Sequence, residues 1–377
     1  MTGEMSGGSL RIFLLIKSLR QGGAQRQCCV LAAKLAEEGH TVRIIVFDQA
    51  DLFYESILPK SVDIISLKCH RWNIPGLLYG LYRTARIFRP NILYGFMSQS
   101  NLLSIVVKPF IDAKVVCGVR ASSLDLAKEP WRVGFGEWIH EITLRFADLV
   151  ITNSNTAKTD LVAKGLSDEH IAVIPNGIDT ERFRFNPDIR AEIRGRLGYA
   201  DKDHVIGMFA RLHPMKGHEF MLSAFSAAAE NFPNLRLLLI GSGDRHVIED
   251  WIMASNLKSR IILLDECQGI EQYYSAIDLY CSSSLYGEGF PNSLAEAMAA
   301  GLPCIATDVG DSRLIVVGYG TLVPPGDVRK MADAIQSHTE ASSSLGSEAR
   351  REYIVRNFGL NLMGQRTIQV LRRILGS

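Results

Sequence analysis

Short apolar runs alternate with segments of helical pattern along the whole chain, and this alternation restricts the fold more than any other feature. The first half opens with an apolar run at residues 10–16, a Gly22-Gly23 turn and a helical segment at 24–38. The second half starts the same alternation again at residues 204–209. Chains that alternate strand and helix in this way form parallel sheets covered by helices. The sequence therefore predicts an α/β protein.

The chain is long enough for two domains. At roughly 150 residues per domain, its 377 residues exceed a single ordinary core. A polar, turn-rich stretch at 176–186 separates the two series of strands. We therefore predict an N-terminal Rossmann-like domain at 1–178, a second at 179–358, and a C-terminal helix at 359–377 that packs back on the first domain. The predicted strands are 10–16, 41–47, 62–67, 92–96, 114–118, 149–152, 171–174, 204–209, 236–240, 261–264, 279–282 and 303–307.

The composition indicates a folded protein that stays in the cytoplasm. Hydrophobic residues make up 47%, charged residues 21%, and the net charge is +1, so nucleic acid is not an expected partner. The seven cysteines are scattered without C-x-x-C spacing, which argues against a disulfide scaffold or a zinc site. Neither a signal peptide nor an apolar run of about 18 residues is recognisable. We therefore expect a cytoplasmic protein that can touch a membrane without spanning it.

Two glutamates frame a segment suited to a hydroxyl-rich, phosphorylated ligand. The stretch Glu288-Gly-Phe-Pro-Asn-Ser-Leu-Ala-Glu296 follows an apolar strand and a glycine-rich loop. Pro291 and Asn292 are typical helix-start residues, which places Glu296 in the first turns of a helix. A carboxylate accepts hydrogen bonds from several hydroxyls, and a helix N-terminus favours a phosphate. Taken alone, such a pair more often caps and solvates the helix.

This stretch resembles the E-x7-E segment of the family 4 glycosyltransferases, which are retaining enzymes of the GT-B fold. Further landmarks match in order along residues 11–358: Gly22-Gly23-Ala24-Gln25-Arg26, Asn153-Ser154, Val173-Ile-Pro-Asn-Gly-Ile-Asp179, Arg211 with Lys216-Gly217, and Gly241-Ser-Gly243. The resemblance implies two Rossmann-like domains whose parallel sheets face an interdomain cleft. It also implies a nucleotide-diphosphate-sugar donor, which we take to be a UDP-sugar, and no essential metal or other cofactor.

The resemblance assigns most of the matched residues to the donor. Glu296 would hold the ribose hydroxyls of the nucleotide, and Glu288 would hold hydroxyls of the sugar. The base would lie near residues 264–268. The nucleotide-sugar-binding candidates are Gly22, Gly23, Arg211, Lys216, Gly241, Glu288, Gly289, Phe290, Pro291, Asn292, Ser293 and Glu296.

Catalysis would rest on fixed positive charge. Breaking the sugar–phosphate bond builds negative charge on the diphosphate, which Arg211 and Lys216 would stabilise beside Glu288. The acceptor hydroxyl would attack from the leaving-group face and pass its proton to a phosphate oxygen. Arg120 stands where many relatives have a histidine, so we expect it to contact donor or acceptor, the alternative being a surface arginine. Ser98 and Asn153 complete the acceptor-side candidates.

Other polar motifs are interpreted as structural. Asp201-Lys-Asp203 matches a D-x-D metal motif, but it lies in a polar turn, so no metal site is expected. His213 and His218 flank the phosphate-binding segment and are interpreted as local polar residues. Gly241-Ser-Gly243 is half of a dinucleotide-binding fingerprint, with His246 in place of the third glycine.

A basic segment raises the question of membrane contact. Arg83, Arg86 and Arg89 recur within one apolar helical pattern. A basic amphipathic helix can lie on an anionic membrane surface, although a core-facing helix with a solvated basic edge explains the pattern equally well. If the segment binds lipid, the acceptor would be a polyprenyl-diphosphate-linked saccharide. The protein would then act on the inner face of the plasma membrane in lipopolysaccharide, capsule or exopolysaccharide synthesis.

Three other functions compete with sugar transfer. A nucleotide-sugar epimerase shares the two-domain architecture, but Arg211 and Lys216 with the E-x7-E segment argue against it. A nicotinamide-dependent oxidoreductase needs an acidic residue about 20 residues beyond an intact glycine-rich loop. Asp48 has that spacing from Gly22-Gly23, but the fingerprint between them is incomplete. A non-catalytic sugar-binding module would not need the whole set of charges.

Overall fold

The computed structural model describes residues 8–20, 22–48, 53–67, 73–120, 131–265, 268–341 and 346–376. The chain divides into two compact units. The first comprises residues 1–177 together with 360–377, and the second comprises residues 178–359.

The first unit is built on a seven-stranded parallel sheet in the order β3-β2-β1-β4-β5-β6-β7. Its strands are β1 (Arg11–Ile16), β2 (Thr41–Val46), β3 (Asp63–Ser66), β4 (Ile92–Phe96), β5 (Lys114–Val119), β6 (Leu149–Thr152) and β7 (Ile171–Val173). The helices of its main segment are α1 (Gly23–Glu37), α2 (Ile74–Phe88), α3 (Met97–Val107), α4 (Trp131–Thr143) and α5 (Asn155–Ala163).

The second unit repeats the plan with a six-stranded parallel sheet in the order β10-β9-β8-β11-β12-β13. Its strands are β8 (His204–Phe209), β9 (Leu235–Ile240), β10 (Ile261–Leu264), β11 (Leu279–Ser282), β12 (Cys304–Thr307) and β13 (Thr321–Val323). Its helices are α6 (Pro187–Leu197), α7 (His218–Ala229), α8 (His246–Ala254), α9 (Ile270–Ala276), α10 (Asn292–Ala299), α11 (Ser312–Val316), α12 (Val328–Glu340) and α13 (Glu348–Phe358).

Local sequence explains where these elements begin and end. The β1 run is buried on both faces except at its first residue, as parallel strands covered by helices require. At α6, the Asn186 side chain accepts hydrogen bonds from two backbone N–H groups of the first turn, and Pro187 occupies the first helical position. The same helix ends at Gly198, whose φ of 72° suits a residue without a Cβ.

The last helix, α14 (Leu360–Leu375), belongs to the first unit and packs on α1. A Cβ at Gly364 would lie 2.7 Å from Lys34 Cγ, so a glycine there allows the two helices to approach closely. Met363, Ile368 and Leu371 join the core beside β1 and β2. The described cysteines are free and buried in these cores, as their apolar surroundings predict: Cys28, Cys29, Cys117, Cys281 and Cys304.

The strands expected from the apolar runs are confirmed, with ends shifted by about one residue. The edge strand β13 was not predicted. Within the described ranges, no helix is both long and apolar enough to cross a lipid bilayer.

Candidate functional site

Loops at the carboxyl edge of the second sheet are joined to one another by backbone hydrogen bonds. After β8, Leu212 N–H donates to the Ser242 carbonyl, which follows β9, over 2.8 Å. Leu285 N–H, in the loop after β11, donates to the Met215 carbonyl over 2.7 Å. Because ligands of open parallel sheets bind beyond this edge, these loops form the candidate site.

Two glycines let the loops approach closely. Gly217 has a φ of +67°, and a Cβ there would lie 2.2 Å from the Ser283 carbonyl oxygen. Gly310 has a φ of +60°, and its Cβ would lie 2.6 Å from the Glu288 carbonyl oxygen. Any other residue would be strained in φ and would push the loop carrying Glu288 away. The glycines therefore fix the loop geometry of the site.

The predicted residues Lys216 and Glu288 form an ion pair through Lys216 Nζ and Glu288 Oε1. The glutamate is buried, with 7% of its surface exposed. Ser284 Oγ donates to the same carboxylate oxygen, and Thr307 Oγ1 holds the Ser284 carbonyl at 2.6 Å. The sequence analysis missed Ser284. It is the second residue after β11, and a serine in that position carries no local signal of function.

The second predicted glutamate, Glu296, is 3% exposed and lies on α10, whose first residue follows Pro291. Tyr274 on α9 donates its hydroxyl to Glu296 Oε2 over 2.9 Å and lies 3.2 Å from the Ser293 carbonyl oxygen. The aromatic rings of Phe183 and Phe209 pack edge-on against Tyr274. A phenol so placed fixes the orientation of the carboxylate. No local pattern in the sequence indicated this tyrosine.

The remaining donor-side candidates lie around these glutamates. Gly289, Phe290 and Pro291 are buried in the loop before α10, and Asn292 and Ser293 are partly exposed at its start. Arg211 is exposed in the same loop as Lys216, with its Nη2 at 3.9 Å from Met215 Sδ. The carbonyl of Ala210 lies against Gly241, where a Cβ would stand 1.9 Å from the oxygen. The close contact with Ala210 therefore requires a glycine at position 241, whether or not Gly241 also contacts the donor.

His218, interpreted as a local polar residue, is buried at the start of α7. Its imidazole pKa is lowered to about 4. Burial is the largest cause, a backbone hydrogen bond with Ala210 opposes the shift, and the nearby charge of Lys216 adds to it. His218 is therefore neutral near neutral pH. It adds no positive charge beside Lys216. His213 Nδ1 accepts a hydrogen bond from Met215 N–H within the loop, as expected of a local polar residue.

The protonation of His218 predicts a pH-dependent stability. Its folded pKa of about 4 lies below the ordinary histidine pKa of about 6.5, so the unfolded chain takes up a proton first as the pH falls through this range. The wild-type protein should lose up to about 3 kcal/mol of unfolding free energy over this range relative to His218→Asn. Asparagine retains a donor for the backbone but does not titrate. Urea unfolding at both ends of the range measures the difference, and parallel pH profiles would contradict the assignment.

In the first unit, Arg120 is held at the end of β5 rather than lying loose on the surface. Its Nη1 donates to Asn176 Oδ1 and its Nη2 to Tyr94 Oη, each over 2.9 Å. The guanidinium also lies over the Phe96 ring, 4.6 Å from its centroid. Asn153 Nδ2 lies 3.4 Å from the Arg120 carbonyl oxygen. The structure thus brings Arg120 and Asn153 together.

Other candidates of the first unit lie in different surroundings. Ser98 Oγ donates to Glu137 Oε1 over 2.9 Å. Gly22 N–H donates to Tyr54 Oη over 3.1 Å, and Gly22 is extended, with a φ of 164°, at the start of α1. Gly23 is the exposed first residue of that helix. Residues 121–123, which follow Arg120 in the predicted segment, and residues 266 and 267 of the predicted base-binding stretch lie outside the described residues.

The D-x-D segment has a structural role. Asp203 is buried and pairs with Arg236 at 2.9 Å, and its Oδ2 accepts from Ala200 N–H. Within the part of the chain that the structure describes, no group of three histidine, cysteine or acidic side chains could hold a metal ion.

Two family models match the chain, in separate stretches. The model described as Glycosyltransferase Family 4 matches residues 21–182, and the model described as Glycosyl transferases group 1 matches residues 203–340. Together the two stretches take up most of the chain, and each falls in one half.

Curated relatives match about half of the chain. EpsF of Bacillus subtilis is 32% identical over 192 residues, which are 47% of this chain and 48% of EpsF. The Escherichia coli UDP-Gal:alpha-D-GlcNAc-diphosphoundecaprenol alpha-1,3-galactosyltransferase is 28% identical over 200 residues, 50% of this chain and 51% of that enzyme. The chain thus matches about half the length of each of these relatives.

A solved structure matches nearly the whole chain. The crystal structure of Anabaena Alr3699/HepE in complex with UDP-glucose has a TM-score of 0.83 at 23% identity, covering 97% of this chain and 100% of that chain. The likeness shows the fold, and the resemblance expected from the ordered motifs is confirmed. The structural likeness shows the GT-B fold, and the two family matches place the chain in family 4 of the glycosyltransferases.

Proposed function

We propose that the protein transfers a sugar, with retention of its anomeric configuration, from a UDP-sugar to a lipid-linked saccharide during synthesis of a cell-surface polysaccharide. The observation that carries this proposal is the pairing of Lys216 with Glu288 at the carboxyl edge of the second sheet. UDP-glucose in the Anabaena structure supports the choice of donor. The diphosphoundecaprenol-linked acceptor in the name of the Escherichia coli relative supports the choice of acceptor.

The second unit would bind the donor. Glu296, oriented by Tyr274, accepts hydrogen bonds from the ribose hydroxyls, and Glu288 accepts them from the sugar. Lys216 then lies between a carboxylate that binds sugar and a diphosphate that departs. As the bond between the anomeric carbon and the phosphate oxygen breaks, Lys216 and Arg211 stabilise the negative charge on the diphosphate. The acceptor oxygen bonds to the anomeric carbon on the same face, and its proton passes to a diphosphate oxygen.

The first unit would bind the acceptor and the membrane. Arg120, Ser98 and Asn153 are the acceptor-side residues of the proposal. On the surface, Tyr79 on α2 and Phe110 after α3 are each 65% exposed. They line an apolar groove of about 220 Å³ with Leu78, Tyr82, Val106 and Val107. Arg83 and Arg86 are exposed on the same helix as Tyr79, so aromatic and basic groups share one surface, as in interfacial helices.

Charge on α2 should control binding to anionic membranes. Arg83→Gln with Arg86→Gln should weaken binding to vesicles of phosphatidylglycerol and phosphatidylcholine by about 30-fold, because each basic residue near such a surface contributes about 1 kcal/mol. Sedimentation with vesicles measures the effect. The exposed pair Arg329→Gln with Arg356→Gln, in the second unit, is the control. Equal vesicle binding by both double variants, or no vesicle binding by the wild type, would contradict the proposal that α2 binds anionic membranes.

Mass spectrometry of reaction products tests the function itself. The purified protein is incubated with a panel of UDP- and GDP-sugars and with simple and lipid-linked saccharide acceptors. We expect a product heavier than the acceptor by one sugar residue, formed from a UDP-sugar, and an anomeric configuration by NMR equal to that of the donor. An altered sugar nucleotide formed without any acceptor would indicate the alternative epimerase instead.

A further inference from the structure

A chain of buried polar groups in the first unit ends in a partly exposed carboxylate. It begins at the Gly118 backbone in β5 and passes through Asn101 on α3 and His140 on α4 to Glu137, one turn earlier on α4. Asn101 and His140 are 0% and 6% exposed, whereas the Glu137 side chain is 29% exposed. The expected motifs included none of these three side chains.

The hydrogen bonds determine which atom donates and which accepts at each step of this series of polar groups. Gly118 N–H donates to Asn101 Oδ1 over 3.2 Å, and Asn101 Nδ2 donates to the Gly118 carbonyl over 3.0 Å. This pairing determines which amide atom of Asn101 is nitrogen. The second N–H of Asn101 Nδ2 therefore points to His140 Nε2 at 2.9 Å, which must accept. In the neutral ring the proton then lies on Nδ1, facing Glu137 Oε2 at 3.4 Å.

Glu137 consequently receives one donor on each oxygen. His140 serves Oε2, and Ser98 Oγ donates to Oε1 over 2.9 Å. The hydrogen bond from His140 lowers the pKa of Glu137, with burial opposing and Ser98 contributing, so the carboxylate is ionised near neutral pH. A carboxylate has about four acceptor positions, so Glu137 can accept further hydrogen bonds on its exposed side.

The location of Glu137 is also that of a ligand site. Ser98 is the second residue after β4, and Gly118 lies near the end of β5, so the cluster stands at the carboxyl edge of the first sheet. Met97, between β4 and Ser98, has a φ of +70°, which non-glycine residues adopt at an energetic cost. Such strain is commonly found at ligand-binding sites. Arg120, an acceptor-side residue of the proposed function, lies two residues beyond Gly118.

We propose that Glu137 binds hydroxyl groups of the saccharide acceptor, with Ser98, His140 and Asn101 as positioning residues. A glutamate needed only for solubility would not require an ordered asparagine, histidine and serine beneath it. Hydroxyl donors suit an ionised carboxylate that already has one donor on each oxygen. The inference rests on the proposed function because it assigns the acceptor side of the same reaction.

Glu137→Gln tests the assignment against a matched control on the same helix. Glu141→Gln, one turn further along α4, removes a carboxylate of similar exposure, 24%, that pairs with Lys164. With a short-chain alkyl diphosphate-linked N-acetylglucosamine as acceptor, Glu137→Gln should raise the acceptor KM about tenfold or more, since hydrogen bonds to charged groups contribute about 1.5 kcal/mol or more. UDP affinity by calorimetry should stay unchanged, and Glu141→Gln should behave as the wild type.

Two further measurements separate binding from packing. Ser98→Ala should raise the acceptor KM severalfold, and Ser98→Thr, which keeps the hydroxyl, should restore it. Saturation-transfer NMR with the same acceptor reports its binding without turnover. Equal acceptor affinity in the Glu137 and Glu141 variants would overturn the proposal, as would a Glu137→Gln variant with a lowered melting temperature and an unchanged acceptor KM. If the wild type binds the acceptor and UDP but transfers no sugar, the proposed function fails, while the binding comparison still decides the role of Glu137.

Discussion

Glu288→Gln should lower kcat by about 100-fold or more while the protein still folds. Its carboxylate holds Lys216 and accepts from Ser284, and in the proposed reaction it also accepts sugar hydroxyls. An amide of the same shape presents N–H donors where acceptors are needed, and it leaves Lys216 without its counter-charge. Removing one preorganised electrostatic contact of this kind typically costs about 10²- to 10³-fold in kcat.

A matched variant controls for the loss of an ion pair. Glu271 pairs with Arg182 in the same unit and has a side chain 22% exposed. Glu271→Gln should therefore show what a lost carboxylate costs in stability without touching the candidate site. Turnover of Glu288→Gln within twofold of the wild type, measured with the UDP-sugar identified by product analysis, would contradict the role of Glu288.

Lys216→Met should weaken binding of UDP by about 30-fold or more while leaving uridine binding nearly unchanged. The ammonium group of Lys216 is part-buried beside the first turn of α7, where a charge-assisted contact to phosphate is stronger than in water. Uridine has no phosphate and cannot use that contact. Methionine keeps much of the apolar stem of lysine, so the loss of the ammonium group is the main change.

Calorimetric titrations with UDP and uridine measure both affinities. Lys330→Met, at an exposed lysine on α12, controls for a general loss of positive charge. The phosphate role of Lys216 would be wrong if the variant lost UDP and uridine affinity to the same extent. It would also be wrong if Lys330→Met weakened UDP binding as much.

The proximity of Lys216 and Glu288 depends on contacts far apart in the chain. The two are separated by 72 residues, and the glycines that bring their loops together act through backbone atoms of other loops. Sequence motifs selected both residues, because each lies in a short segment directly after a predicted strand. Ser284 and Tyr274 were not predicted as site residues. A serine after a strand carries no local signal of function, and neither does a tyrosine on a short helix.

Arg120 shows the same limit in the first unit. The family resemblance indicated that Arg120 contacts donor or acceptor, with a surface arginine as the alternative. Its partners, Tyr94 and Asn176, lie 26 and 56 residues away in sequence. Only the order of strands in the sheet makes them neighbours. Glu137, His140 and Asn101 were overlooked for this reason, because their pairing appears only when α3 and α4 pack together.

Local sequence patterns were enough to predict the α/β class, the two series of strands, nearly every strand and the ordered motifs of the family. These features depend on local period, turn residues and short segments, which need no knowledge of neighbours in space. Tertiary structure alone decided which polar groups meet: Lys216 with Glu288, Tyr274 with Glu296, and His140 with Glu137. The physical reason is that parallel sheets place residues side by side at their carboxyl edge through crossover connections, so side-chain contacts there follow strand order rather than sequence distance.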